Sequence, residues 1–165
     1  MKWFSLPPFS IVHKNSAVAL LNLISQENIR LNLHGKTKEA VINELLDILS
    51  AQEKLLDRAT VLKALMNREQ TMSTAIQNGI AIPHAKTTGV NELTVAIGIK
   101  KSGLDFDSAL DDKTRIIILA LAPPEKSKSL YEFLLTITTA LNDNTLRSKI
   151  LAAKTPAEVA ELLHQ

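Results

Sequence analysis

The chain has 165 residues, with 19 Lys and Arg against 17 Asp and Glu, and no cysteine. That length suits one domain able to bury a core unaided. The missing cysteine excludes disulfides, thiolate metal sites and thiol nucleophiles, and a net charge of +2 is too weak to suggest an electrostatic footprint for nucleic acid.

Residues 1–17 read as an N-terminal extension, its tail poorly ordered to about residue 15 and followed by an amphipathic helix. Met1–Ser10 combines one Lys with aromatics and Pro7-Pro8, and Asn22 interrupts the apolar stretch from Ala17 to Ile24. No signal peptide is expected from that pattern. No run approaches the ~20 apolar residues of a membrane span. Trp3, Phe4 and Phe9 either dock on the domain or mediate self-association.

One domain is expected over residues 18–165. Asn28–Leu33 alternates as a strand would. Thr37 can cap a helix, and Val41, Leu45, Ile48 and Leu49 then form a helical stripe. A second helix is expected over Arg58–Asn67, with Val61, Leu62 and Leu65 inward. Asn78-Gly79 signals a turn, whereas Ile80–His84 is too short to assign. Leu93–Ile99 alternates as a half-buried strand does. Ile116–Leu121 is a continuous apolar run and predicts a central strand covered on both faces. Pro123-Pro124 stops it. Leu130, Phe133, Leu134, Ile137 and Leu141 make another helical stripe. Thr155-Pro156-Ala157-Glu158 opens a last helix with a cap, a proline at the first position and Glu at the third. Val159, Leu162 and Leu163 form its buried face. The pattern predicts an α/β domain, a sheet covered by helices.

Nucleotide-cradle, GxSxG and HExxH motifs are absent. The four histidines stand at 13, 34, 84 and 164, without metal-ligand spacing. Asp111-Asp112 reads as a solvated turn. His13 lies in the tail, His34 in a loop before Gly35, and His164 beside the C-terminal residue. His84 differs: it follows Pro83, which cannot continue a ladder, and precedes the small Ala85. Upstream, Arg68, Ser73 and Thr74 offer a guanidinium fork and two hydroxyls. If the chain folds back, that set suits three phosphoryl oxygens. On the residues alone, a structural histidine remains the alternative.

The stretch from Asn67 to Ala85 (NREQTMSTAIQNGIAIPHA) resembles the signature of type 2 enzyme IIA domains. These are the fructose/mannitol and nitrogen-regulatory class of the bacterial phosphoenolpyruvate-dependent phosphotransferase system. The Arg-Glu pair, the Ser-Thr pair and Gly-Ile-Ala-Ile-Pro-His all stand at that family's spacing. The likeness extends to residues 28–41 and to Leu119–Pro123. It implies a mixed β-sheet flanked by helices on both faces, and a cytoplasmic phosphocarrier of the nitrogen-regulatory type. It further implies that His84 accepts a phosphoryl group on Nε2 from a histidine phosphocarrier protein. The acceptor would be a IIB domain or a regulatory target protein. Arg68 matches the family's active-site arginine. Thr74, and less closely Ser73, match hydroxyls near the phosphohistidine. Apart from the resemblance, Lys86 is a further local positive charge that could face the phosphoryl group. No metal, organic cofactor, nucleic acid or membrane insertion is implied. The sequence holds no IIB or membrane segment, which favours a separate regulatory protein.

In one place the sequence departs from the family. Type 2 enzyme IIA domains carry a second active-site histidine at the start of a later helix, in a His-Leu pair. Alignment through Leu141-Asn142-Asp143 puts that pair on Leu130-Tyr131, and no histidine stands between 85 and 163. Losing one preorganised donor costs on the order of 10²-fold in rate. Tyr131, Lys126 and Lys128 are the candidate substitutes. The alternative function is a regulatory interaction module of the same fold with weak or no phosphotransfer.

Overall fold

The computed structural model describes residues 17–107 and 109–165. The expectations for the tail and for Trp3, Phe4 and Phe9 lie outside that range. Residues 17–21 are helical, and no helix among the described residues is long and apolar enough to cross a membrane.

Six strands form one mixed sheet: β1 (Ile29–Arg30), β2 (Ala75–Ile76), β3 (Ile80–Ala81), β4 (His84–Lys86), β5 (Thr94–Leu104) and β6 (Thr114–Ala122). Their order is β1-β5-β6-β3-β2, with β4 also paired to β6. β5 and β6 run antiparallel, whereas β3 and β4 both run parallel to β6. Four helices follow from the patterned stripes, α1 (Lys38–Ala51), α2 (Arg58–Thr71), α3 (Ser127–Leu141) and α5 (Pro156–Leu163), and a further one, α4 (Asn144–Ala152), lies between the last two.

The sheet separates two cores. On one face, Val41, Leu45 and Leu49 of α1 and Val61 and Leu65 of α2 pack on Ala96, Ile117, Leu119 and Leu121. On the other, Leu130, Phe133 and Ile137 of α3, Ile150 of α4 and Val159 of α5 pack on Val95, Ile97, Ile116 and Ile118. The apolar run of β6 thus alternates between two helical layers, as a central strand must.

Caps define the helix starts. The side chains of Thr37, Asp57, Asp143 and Thr155 accept backbone N–H bonds at the starts of α1, α2, α4 and α5. Each satisfies a donor that the first turn leaves unpaired. Glu158 reinforces α5 by accepting from the Lys154 N–H at 2.8 Å.

Three expectations are corrected. The strand predicted over Asn28–Leu33 contracts to Ile29–Arg30, because Asn32 adopts φ +62°, a left-handed conformation that breaks extended pairing. The strand beginning near Leu93 is covered on both faces along Thr94–Ile99 rather than half-buried. Its other face carries the small residues Ala96 and Gly98, which admit α1 closely: a Cβ on Gly98 would meet Leu33 Cδ1 at 2.4 Å and Leu45 Cδ2 at 3.0 Å. Finally, α2 runs past Asn67 to Thr71, so Arg68 and Glu69 lie in its last turn.

Candidate phosphoryl-transfer site

The segment between α2 and β4 is folded by the motif's own residues. Glu69 is buried and accepts three hydrogen bonds: from Lys38 Nζ at 2.9 Å, from the Thr74 N–H at 3.0 Å and from Thr74 Oγ1 at 2.6 Å. A buried carboxylate is sustained by such pairing. The three bonds anchor the turn from the helix end into the β2–β3 hairpin. Asn78 (φ +68°) and Gly79 (φ +73°) close that hairpin, because they tolerate the left-handed region. Ile82 N–H then bonds back to the Thr74 carbonyl at 3.0 Å.

Pro83 divides β3 from β4 on the same edge of β6. It has no N–H to give, yet its carbonyl accepts from Ala120 N–H at 3.0 Å. The chain therefore keeps its place beside β6 while the Ile82 carbonyl turns to a different donor. That donor is His84 Nδ1, 2.6 Å away. A carbonyl oxygen only accepts, so Nδ1 carries the hydrogen and the neutral ring leaves a lone pair on Nε2.

His84 is half-buried, and its pKa is held below the ordinary imidazole value. Burial is the largest cause, and the nearby Arg68 charge acts in the same direction. The Ile82 hydrogen bond and the Glu69 charge oppose them. The ring is therefore neutral, with an electron pair to give, at pH 7. Arg68 is itself steadied by donating from Nη1 to the Met72 carbonyl at 2.8 Å.

The sequence places Thr74 ahead of Ser73 as a hydroxyl donor, and in the structure the two hydroxyls are engaged differently. Thr74 is buried and its hydroxyl proton goes to Glu69. Ser73 Oγ accepts from the Ala75 N–H at 3.2 Å and keeps its proton. Glu69 and its partner Lys38 were missed as organisers. Glu69 carried a signal as half of the Arg-Glu pair, but the 31 residues separating it from Lys38 hid the contact.

Leu130 is 1% exposed and belongs to the core with Phe133 and Ile137. Its neighbour Tyr131 is 54% exposed and lies under Lys86 Nζ, 5.7 Å from ring centroid to nitrogen. The remaining histidines stay away from the site. His34 is exposed with Nδ1 3.7 Å from Glu44, and His164 Nε2 donates to the Ile24 carbonyl at 2.7 Å. Among the described residues, no group of three His, Asp or Glu side chains is placed to hold a metal ion.

Two clefts, of about 490 and 680 Å³, lie elsewhere. The first is lined by Asp111, Lys113, Arg115 and Arg147, the second by Ile29, Arg30, Asp47 and Lys154. Neither includes His84, whose imidazole stands at an open sheet edge.

Residues 22–165 match the family model for the phosphoenolpyruvate-dependent sugar phosphotransferase system, EIIA 2. The chain belongs to this family. Among its EIIA relatives is the PTS system fructose-specific EIIABC component of Bacillus subtilis, 34% identical over 147 residues. That match covers 88% of this chain but 23% of the relative, so the chain spans about a quarter of that protein's length. The PTS system fructose-specific EIIA component of Haloferax volcanii is 32% identical over 148 residues, covering 90% of this chain and 93% of the relative. In structure, the nitrogen regulatory protein IIA-Ntr of Neisseria meningitidis superposes with a TM-score of 0.80 at 23% identity, covering 88% of this chain and 99% of that one. The last likeness establishes the EIIA fold.

Proposed function

We propose that this EIIA chain is a phosphocarrier. In this reading His84 takes a phosphoryl group on Nε2 from a histidine phosphocarrier protein, and a IIB domain or a regulatory target receives it or senses it. The observation that carries the reading is the 2.6 Å contact from His84 Nδ1 to the Ile82 carbonyl, which directs the free electron pair to Nε2.

The chemistry follows from that tautomer. The Nε2 lone pair attacks phosphorus in line, forming the N–P bond as the donor's P–N bond breaks and returns its electron pair to the donor nitrogen. The ring of His84 then carries positive charge, stabilised through the Nδ1–H held by Ile82. A positively charged imidazole is a good leaving group, so the phosphoryl group passes onward readily. Arg68 and the free Ser73 hydroxyl serve the equatorial oxygens, where positioning and positive charge do most of the catalytic work. Thr74, committed to Glu69, acts by positioning. The open edge suits a protein donor better than a small substrate, since exposed Met72, Tyr131 and Leu135 offer apolar contact area to a partner.

The test is incubation with phosphoenolpyruvate, enzyme I and a histidine phosphocarrier, followed by assay of acid-labile phosphate. The chain should take up one phosphate, and His84→Ala should take up none. Label that survives His84→Ala would overturn the assignment.

A second reading is favoured by Leu130: the chain uses its EIIA fold as a regulatory module that transfers phosphate slowly or not at all. Fast turnover to an acceptor domain counts against it.

A further inference from the structure

The geometry points to Lys86, docked on Tyr131, as the cation that takes over phosphoryl stabilisation where Leu130 has displaced the second histidine. This rests on the reading of His84 as the phosphoacceptor.

Successive side chains of a strand point to opposite faces. Within β4 the buried Ala85 joins the core under α1 and α2. His84 and Lys86 therefore share the other face, the one on which α3 packs. Their Cα atoms stand about 6.6 Å apart, two strand residues, within the span of a lysine stem reaching toward a phosphoryl group on Nε2. Arg68 approaches from the end of α2, so the two cations come from different elements.

Lys86 is free to do this. Among the described residues it has no carboxylate in ion-pair range. Among those residues, the specific contact of its ammonium is with the face of Tyr131, the residue after Leu130. An aromatic face holds an ammonium loosely at an exposed site. In the unphosphorylated chain the charges acting on the His84 imidazole are those of Arg68, which lowers its pKa, and Glu69, which opposes it. Once the phosphoryl group, carrying close to two negative charges, sits on Nε2, it competes with the ring for that ammonium and wins by charge. A lysine, with three donors on a flexible stem, suits such a move. Lys126 and Lys128 lack this placement: Lys128 pairs with Glu132 at 3.8 Å, and Lys126 precedes α3 outside the strand.

The experiment compares the wild-type chain with Lys86→Met and Lys86→Arg, each phosphorylated by the phosphocarrier protein and, separately, by phosphoramidate. With phosphoramidate the Nε2–P bond forms as the donor's P–N bond breaks and its nitrogen leaves as ammonia, so no partner docking is involved. Lys86→Met should slow both reactions about tenfold or more. That is less than the roughly 10²-fold lost with a rigid donor, because the ammonium is mobile. Lys86→Arg should retain most of the rate. In ³¹P NMR, the phosphoryl oxygen of phosphorylated Lys86→Met should titrate at higher pH than that of the wild type, because a neighbouring cation favours its ionised form. Slowing with the protein donor alone, with an unchanged ³¹P titration, makes Lys86 a docking residue and overturns the assignment. Lys86→Met rates equal to those of the wild type with both donors also overturn it. A wild-type chain that takes phosphate from neither donor overturns the reading of His84 and this assignment with it.

Discussion

At the level of single residues, the site works by controlling one proton. Burial and Arg68 lower the pKa of His84, and the Ile82 carbonyl decides which nitrogen keeps the hydrogen. The rate of phosphorylation should therefore be flat near neutral pH and fall only as pH drops through the depressed pKa. Arg68→Ala removes a positive charge that disfavours the imidazolium, so the His84 titration should move up toward 6.5. The imidazole C–H resonances in an NMR pH titration report this directly. A titration that stays in place or moves down would mean that Arg68 does not face the ring. His84 and Arg68 were legible in the sequence because one short motif carries both. The Glu69–Lys38 pair was not, because Lys38 lies in another helix and no local pattern marks it. The standing of Ser73 and Thr74 was equally hidden. Adjacent hydroxyls look equivalent until the buried one is seen to give its proton to Glu69.

Among the elements, α3 begins its buried stripe at Leu130, so this position at the helix start is committed to packing. Leu130→His would place a polar ring among Phe133, Ile137 and their neighbours. It should cost about 2–3 kcal/mol, from lost apolar packing and an unpaired buried nitrogen. The denaturant midpoint should fall with an unchanged slope. A midpoint equal to that of the wild type would show that residue 130 opens to solvent on substitution. The stripes of α1, α3 and α5 were readable from spacing alone. β1 and β5 were less so, for opposite reasons. One asparagine in the left-handed region cuts the alternating Asn28–Leu33 short. In β5, Ala96 and Gly98 hide a buried face behind small residues, because periodicity detects large apolar side chains and not close approach by a neighbouring helix.

For the whole molecule, the two-layered sheet positions chemistry at an edge. β6 is covered on both faces and supplies the rigid backbone against which Pro83 and His84 are registered, with His84 opposite Ala120 and Lys86 opposite Ala122. α2 brings Arg68 to that edge, and α3 brings Tyr131. Neither of the two larger clefts includes His84. The even charge balance, uninformative for the chain as a whole, conceals local positive charge at Arg68 and Lys86. Whether Nε2 of His84 carries the phosphoryl group is decided by ¹⁵N-resolved NMR of the chain after phosphorylation by the phosphocarrier protein. The ¹⁵N shift should change and a coupling to phosphorus should arise at Nε2 of His84, with Nδ1 still protonated. Phosphorus on Nδ1, or on any other residue, would contradict the assignment.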